Sequence, residues 1–295
     1  MSGPPAAVAA DIPRLLRERL DGFRDAGRSL DQYPAAGPVH DLRVAARRLH
    51  AALTLWAPLL DLPTGLRPGT IRRVERRFGA LRDLDILAAR LEALPGGLED
   101  ARREVEHERT DALGRGGASL RRRPLRRTLA ALDDWCAAPA FTPLAQLPPE
   151  SVAAPLLAPV LSRVLLHPGW LIPDSPAPDD PGAADLHALR RVLKRLRYSL
   201  ECLTGWWGGD AAGWLDELHA IQDALGAWHD EGILRTRLAR HSADPDILAA
   251  SESRARAALE LWPAWRARYL DPVVRAGLYQ RIGGAATTAA PPNHP

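Results

Sequence analysis

Lysine is almost missing from this chain. Lys194 stands alone among 39 cationic side chains, and arginine supplies the rest. Arginine is the better bidentate phosphate ligand, but coding bias produces the same skew, so the skew decides nothing. Cysteine is scarce as well. Cys136 and Cys202 lie far apart in apolar runs, which excludes a disulfide framework or cysteine metal site and favours a reducing compartment. Phe and Tyr number three and four, and with Ile and Thr also thin, the composition favours helices over strands. No uncharged stretch reaches the eighteen or so apolar residues of a membrane helix. The first residues lack the basic-then-apolar order of a signal peptide. The expectation is a soluble cytoplasmic protein without a membrane partner. A net charge of only +3 excludes a histone-like polycation.

What is present is length and a core. The 295 residues are 46% hydrophobic, enough for one large domain or two smaller ones. Residues 1–9 read as a flexible N-terminus. Helical spacing is expected over about 6–31, 39–57, 70–93, 98–113 and 119–136, the last two separated by Gly114, Gly116 and Gly117. A proline-rich link at about 138–150 divides this first half (about 10–137) from a second (about 151–278). In the second half, helices are expected at about 152–166 and 185–205, with a polar loop at 173–185 between them. Another starts at about 211–227 and leads into WHDEGILRTRLARH, and two more follow at about 245–260 and 262–276. Residues 279–295 read as a disordered tail.

One stretch occurs twice. HDLRVAARRLH at 40–50 matches HALRRVLKRLR at 187–197, an offset of 147 residues from His40 to His187. FGALRDLDIL at 78–87 matches LGAWHDEGIL at 225–234 at the same offset. Two separated matches without a gap imply a repeated helical unit. The fold class expected is all-α, a tandem duplicated pair of antiparallel helical bundles.

On a helix, His40, Arg43, Arg47 and His50 fall within one stripe about 15 Å long. Leu42, Ala46, Leu49, Leu53 and Trp56 form an apolar seam beside it. The second copy sets His187, Arg190, Lys194 and Arg197 against Leu189, Leu193, Leu196 and Leu200, while Arg48 and Arg195 face solvent or an ion pair. Residues 40–50 contain one acid, Asp41, and residues 187–197 contain none. Like charges at i, i+4 destabilise a helix, and a bound polyanion would reverse that sign. Arg72, Arg73, Arg76, Arg77 and Arg82 add cations on the third helix, with His229 in the place of Arg82 in the second copy. Asp83 and Asp230 are candidate orienters that hold arginine rotamers through charge-assisted hydrogen bonds. The second-half tryptophans (Trp206, Trp207, Trp214, Trp228, Trp262, Trp265) read as core packing.

HxxRxxx[R/K]R at both sites, each followed by GxxxDxxIL, resembles the CHAD family, the helical domain named for its histidines, over about residues 10–278. The resemblance implies a pair of four-helix bundles around a basic pore that binds inorganic polyphosphate with its counter-cations, and location on polyphosphate granules. It implies no enzyme activity and no cofactor. CHAD domains are often joined to a CYTH triphosphatase domain; the ExExK pattern of that domain is lacking, so the chain resembles a stand-alone member. The family usually has Arg where this chain has His50. Two other classes compete. His229-Asp230 is an HD doublet of the kind found in metal-dependent phosphohydrolases, but the matching copy is Arg82-Asp83, which cannot ligate in the same way. Nucleic-acid binding is disfavoured, since no recognition motif of the usual modules is visible.

Overall fold

Proline punctuates this chain. It stands in the first turn of helix after helix, where its missing N–H leaves no bond unmade. A computed structural model describes residues 8–173, 176–177, 180, 182–205, 211–241 and 244–284. Among the described residues there are eleven α-helices, and the one β feature is an isolated bridge between Leu60 and Phe141. The first group comprises α1 (Ile12–Gln32), α2 (Ala36–Leu55), α3 (Pro68–Glu92), α4 (Glu99–Leu120) and α5 (Arg123–Ala137). The second comprises α6 (Pro149–Leu165), α7 (Ala183–Leu203), α8 (Ala211–Arg240), α9 (Pro245–Ala258), α10 (Trp262–Leu270) and α11 (Pro272–Gly284).

Three expected boundaries move. Gly114, Gly116 and Gly117 do not end a helix, because α4 runs through them to Leu120. Gly116 is there for packing: a Cβ on it would stand 3.0 Å from the Phe78 ring of α3. The helix expected at 262–276 breaks at Asp271, whose Oδ1 accepts the backbone N–H of Val273 at 2.7 Å and so caps α11. The tail expected from residue 279 is helical as far as Gly284, and residues 285–295 lie outside the described residues.

The apolar seams of α2 and α7 are buried as their spacing requires, with Leu42, Ala46, Leu49, Leu53, Leu189, Leu193 and Leu196 all at 0% exposure. Removing each such leucine from water is worth about 2 kcal/mol. Trp214, Trp228 and Trp262 are buried and Trp265 partly so, which agrees with core packing; Trp206 and Trp207 lie outside the described residues. Trp170 stacks between Trp262 and Tyr269, with centroids 5.4 and 4.5 Å away. The stretch Pro149–Leu171 is long and apolar enough to pass for a membrane span. It is not one helix, however: α6 stops at Leu165, carries Arg163 in its last turn, and buries Leu157, Leu161 and Val164.

The two groups meet in two places. At one, Arg47 of α2 lies over the Tyr198 ring of α7 at 5.7 Å, and Arg48 pairs with Glu201 at 3.4 Å. At the other, Leu87, Leu91, Leu234 and Leu238 of α3 and α8 share a small apolar cluster. Glu231, 3% exposed on α8, clasps it by accepting Arg90 of α3, Arg254 of α9 and the Ser251 hydroxyl. Arg237 of α8 adds ion pairs to Glu104 and Glu108 of α4 at 2.7 and 2.9 Å. Between these contacts lie the basic stripes of α2 and α7 and the Asp83 and Asp230 carboxylates.

Candidate functional site

Four cations converge here, each in different circumstances. Arg47 Nε donates to Glu75 Oε1 of α3 at 2.6 Å, and both side chains are under one-fifth exposed. Burial works against the Arg47 charge, but Glu75 and Tyr198 outweigh it and hold the pKa above its ordinary value. Arg43 has no such carboxylate. Its Nε is buried without a partner, and burial followed by the repulsion of Arg47 brings its pKa down to about 10. Arg190 Nε donates to the Gln222 carbonyl at 3.3 Å. Its guanidinium lies against Gly226 so closely that a Cβ there would stand 2.7 Å from Nη2. That is the physical reason for the motif glycine in this copy; Gly79, its match, has open space. Burial lowers the Arg190 pKa, with Asp230 and Asp83 opposing. Lys194 makes no hydrogen bond or ion pair among the described residues. Burial, then Arg190, Arg47 and Arg43, push its pKa down to about 6.

The histidines that head the stripes sit at the margin of this cluster. His40 is lowered by burial, then by Arg43 and Arg82. His187 is lowered by burial, then by Arg191, Arg190 and Lys194. Both Nδ1 atoms are buried without a partner. The His229 ring lies 4.2 Å from that of His187, centroid to centroid, and burial and its cationic neighbours push its pKa down to about 4. All three imidazoles are thus held below their ordinary value, His229 furthest.

Asp83 and Asp230 face the cations but make no hydrogen bond to them among the described residues. The orienting bonds expected of them are replaced by charge alone: Asp83 acts on Arg43, Arg190 and Lys194, and Asp230 on Arg190 and Lys194. Burial raises the Asp230 pKa. Asp85 does hold an arginine, Arg109, at 2.6 Å, and Gly232 in the matching place cannot.

Arg197 is the clearest departure. It is 9% exposed and turned inward, with Nε donating to Gln222 Oε1 at 3.0 Å, Nη1 to Glu201 at 2.9 Å and to His219, and its guanidinium over Tyr198 at 4.2 Å. Its place in the stripe makes it a brace rather than an open donor. His50, its match, is lowered by burial and by the charges of Arg72 and Arg195, against Glu75. Arg72 thus acts on His50 of α2, and Arg82 acts on His40 and Asp230. Arg73, Arg76 and Arg77 have no described interaction with the central cations. Glu75, Tyr198 and Gln222 are functional neighbours that helical spacing alone did not pick out as site residues, since their role depends on which helix lies opposite. Among the described residues, no three His, Cys, Asp or Glu side chains are grouped to hold a metal ion. Asp230 of the HD doublet faces Arg190 and Lys194 instead.

The CHAD domain profile matches residues 14–239, most of the chain. The chain belongs to the CHAD family. That family is linked to polyphosphate binding in general. The crystal structure of the CHAD domain from the plant Ricinus communis is similar, at 25% identity with a TM-score of 0.60, covering 93% of this chain and 92% of that one. PptA from Streptomyces chartreusis shares the fold, at 20% identity and a TM-score of 0.57, covering 94% of this chain and 99% of that one. No curated protein matches this CHAD chain.

Proposed function

We propose that this CHAD protein binds inorganic polyphosphate, without turning it over, in the groove bounded by α2, α3, α7 and α8. The observation that carries the reading is the convergence of Arg43, Arg47, Arg190 and Lys194, with Arg43 Nε and the His40 and His187 Nδ1 atoms buried and unpartnered. Buried polar atoms without partners are costly and are rare in proteins. A chain of phosphates entering the groove supplies acceptors to these atoms and counter-charge to the cations together. The same ligand offers Lys194, which makes no hydrogen bond or ion pair among the described residues, a direct partner. Asp83 and Asp230 temper the positive field and repel a chain that sits too deep, which fits reversible binding. Counter-cations of the ligand accompany it, and the site residues themselves are donors rather than proton-transfer catalysts. Location on polyphosphate granules follows from the same affinity.

The test is polyphosphate binding by wild type and by the Arg43→Ala/Arg190→Ala/Lys194→Ala variant across a salt series. Charge-assisted bonds contribute about 1.5–3 kcal/mol each, so the triple variant should lose at least about a hundredfold in affinity. Wild-type affinity should fall steeply with salt as counterions are released, a relation established for nucleic acids. Equal affinity of the two proteins, or a flat salt response, sinks the reading. Long-chain polyphosphate should also outcompete tRNA at matched phosphate concentration; the reverse order would favour a nucleic-acid ligand.

A further inference from the structure

A second concentration of positive charge lies away from the groove. At the start of α5, Arg122, Arg123, Arg126 and Arg127 are all exposed, and none has a carboxylate partner among the described residues. No Asp or Glu occurs between Asp111 and Asp133. Both of those are already engaged, Asp111 with Arg115 at 3.6 Å and Asp133 with Arg17 and Arg24. The arrangement opposes local stability twice. Arg122 with Arg126 and Arg123 with Arg127 are like-charge pairs at i, i+4. All four also stand at the positive end of the helix dipole, where anions belong.

The α3 helix extends this face. Thr70 and Thr128 share a 3.1 Å hydroxyl bond that joins the start of α3 to α5, and Gly116 of α4 packs under Phe78. Arg73 and Arg77 are three and seven residues on from Thr70, so they share its side of α3. By that spacing they lie towards the side of α3 that meets α5. α5 packs chiefly on α1, α3 and α4.

We infer that this outer face, formed by the start of α5 with Arg73 and Arg77, is a second polyphosphate site, so that one protein can hold two chains. The inference rests on the ligand class proposed for the groove. The face presents guanidinium groups, whose fork geometry pairs with phosphate oxygens through bidentate charge-assisted bonds. An uncompensated set of arginines at a helix start is relieved by an anion that spans several of them. Binding there and in the groove would let a long chain bridge molecules.

The test uses the full chain and short-chain polyphosphate, too short to reach both sites, with stoichiometry read by titration calorimetry at low salt. Wild type should take up two equivalents. Arg122→Gln/Arg123→Gln/Arg126→Gln/Arg127→Gln should take up one, and lysine at the same four positions should restore the second. Long-chain polyphosphate should give cross-linked assemblies by light scattering with wild type, and not with the glutamine variant. A single equivalent in wild type, two in the glutamine variant, or failure of lysine to restore the second overturns the inference. So does double-stranded DNA binding to this face as tightly as polyphosphate at matched phosphate concentration. The groove is tested separately by Arg43→Ala/Arg190→Ala. If that variant keeps two equivalents while the glutamine variant loses one, the groove reading fails and the outer site stands.

Discussion

Binding in the groove should draw in a proton through Lys194. The groups facing its amine are Arg43 and Arg47 of α2, Asp83 of α3, Arg190 of α7, and His229 and Asp230 of α8. In the empty groove its pKa is about 6 against an ordinary 10.5. At pH 8 about one molecule in a hundred therefore carries the charge. A polyphosphate chain alongside favours the ammonium, and restoring most of the ordinary basicity makes uptake about one proton per chain bound. The sign follows: affinity falls as pH rises above about 6, by up to tenfold or about 1.4 kcal/mol per pH unit, until the bound-state pKa is passed. His40, His187 and His229, all lowered from 6.5, contribute little at pH 8. Calorimetry at pH 8 in buffers of different ionisation enthalpy reads the uptake directly. Lys194→Met should abolish it. Lys194→Arg, charged at every working pH, should abolish it as well while binding more tightly than wild type at pH 8. Uptake near zero in wild type, or unchanged uptake in Lys194→Met, would refute the reasoning.

Two further outcomes test neighbouring parts of the structure. His229 should remain neutral through pH 6 and titrate near 4 in the free protein, followed by ring NMR; saturating polyphosphate should move that titration upward, because the phosphate charge favours the imidazolium. Glu231→Ala leaves Arg90 and Arg254 without their shared carboxylate at the α3–α8 contact. It should cost about 3 kcal/mol and lower the Tm by about 5 °C, measured by calorimetric melting.

The apolar seams and basic stripes were legible because a period of 3.6 residues is a local property, and burial at Leu42, Leu49, Leu189 and Leu196 follows from it. What was not legible depends on the helix opposite. Arg197 keeps its register in the stripe, yet Tyr198 beside it and Gln222 and Glu201 around it turn the guanidinium inward. The start of α3 meets α5 through a bond between two threonines 58 residues apart, Thr70 and Thr128, which no local spacing announces. Gly116 looked like a helix breaker and is instead the place where a ring from α3 comes to rest. Turn chemistry and close packing use the same residue, and only the neighbour tells them apart.

The two halves differ most consequentially at one atom pair. Arg47 corresponds to Lys194 and Glu75 to Gln222 at the shared offset of 147 residues. In the first half the carboxylate holds the cation: Arg47 bonds Glu75 at 2.6 Å and its pKa is raised. In the second half the amide cannot, and Gln222 instead engages Arg190 through its carbonyl and Arg197 through its side chain. Those two arginines stand four residues before and three after Lys194, so Gln222 lies along the same side of α7. The missing negative charge should then contribute to the low Lys194 pKa. Restoring it should reverse the outcome. A carboxylate about 4 Å from the amine contributes about 4 kcal/mol at an effective dielectric of 20, comparable with what burial removes. Gln222→Glu should therefore return Lys194 to its charged form near neutral pH while keeping the bond to Arg197. Proton uptake on polyphosphate binding at pH 8 should then drop below half of the wild-type value. Uptake that stays near one proton would show that burial alone sets the Lys194 charge, and that the Glu75–Gln222 difference has no part in it.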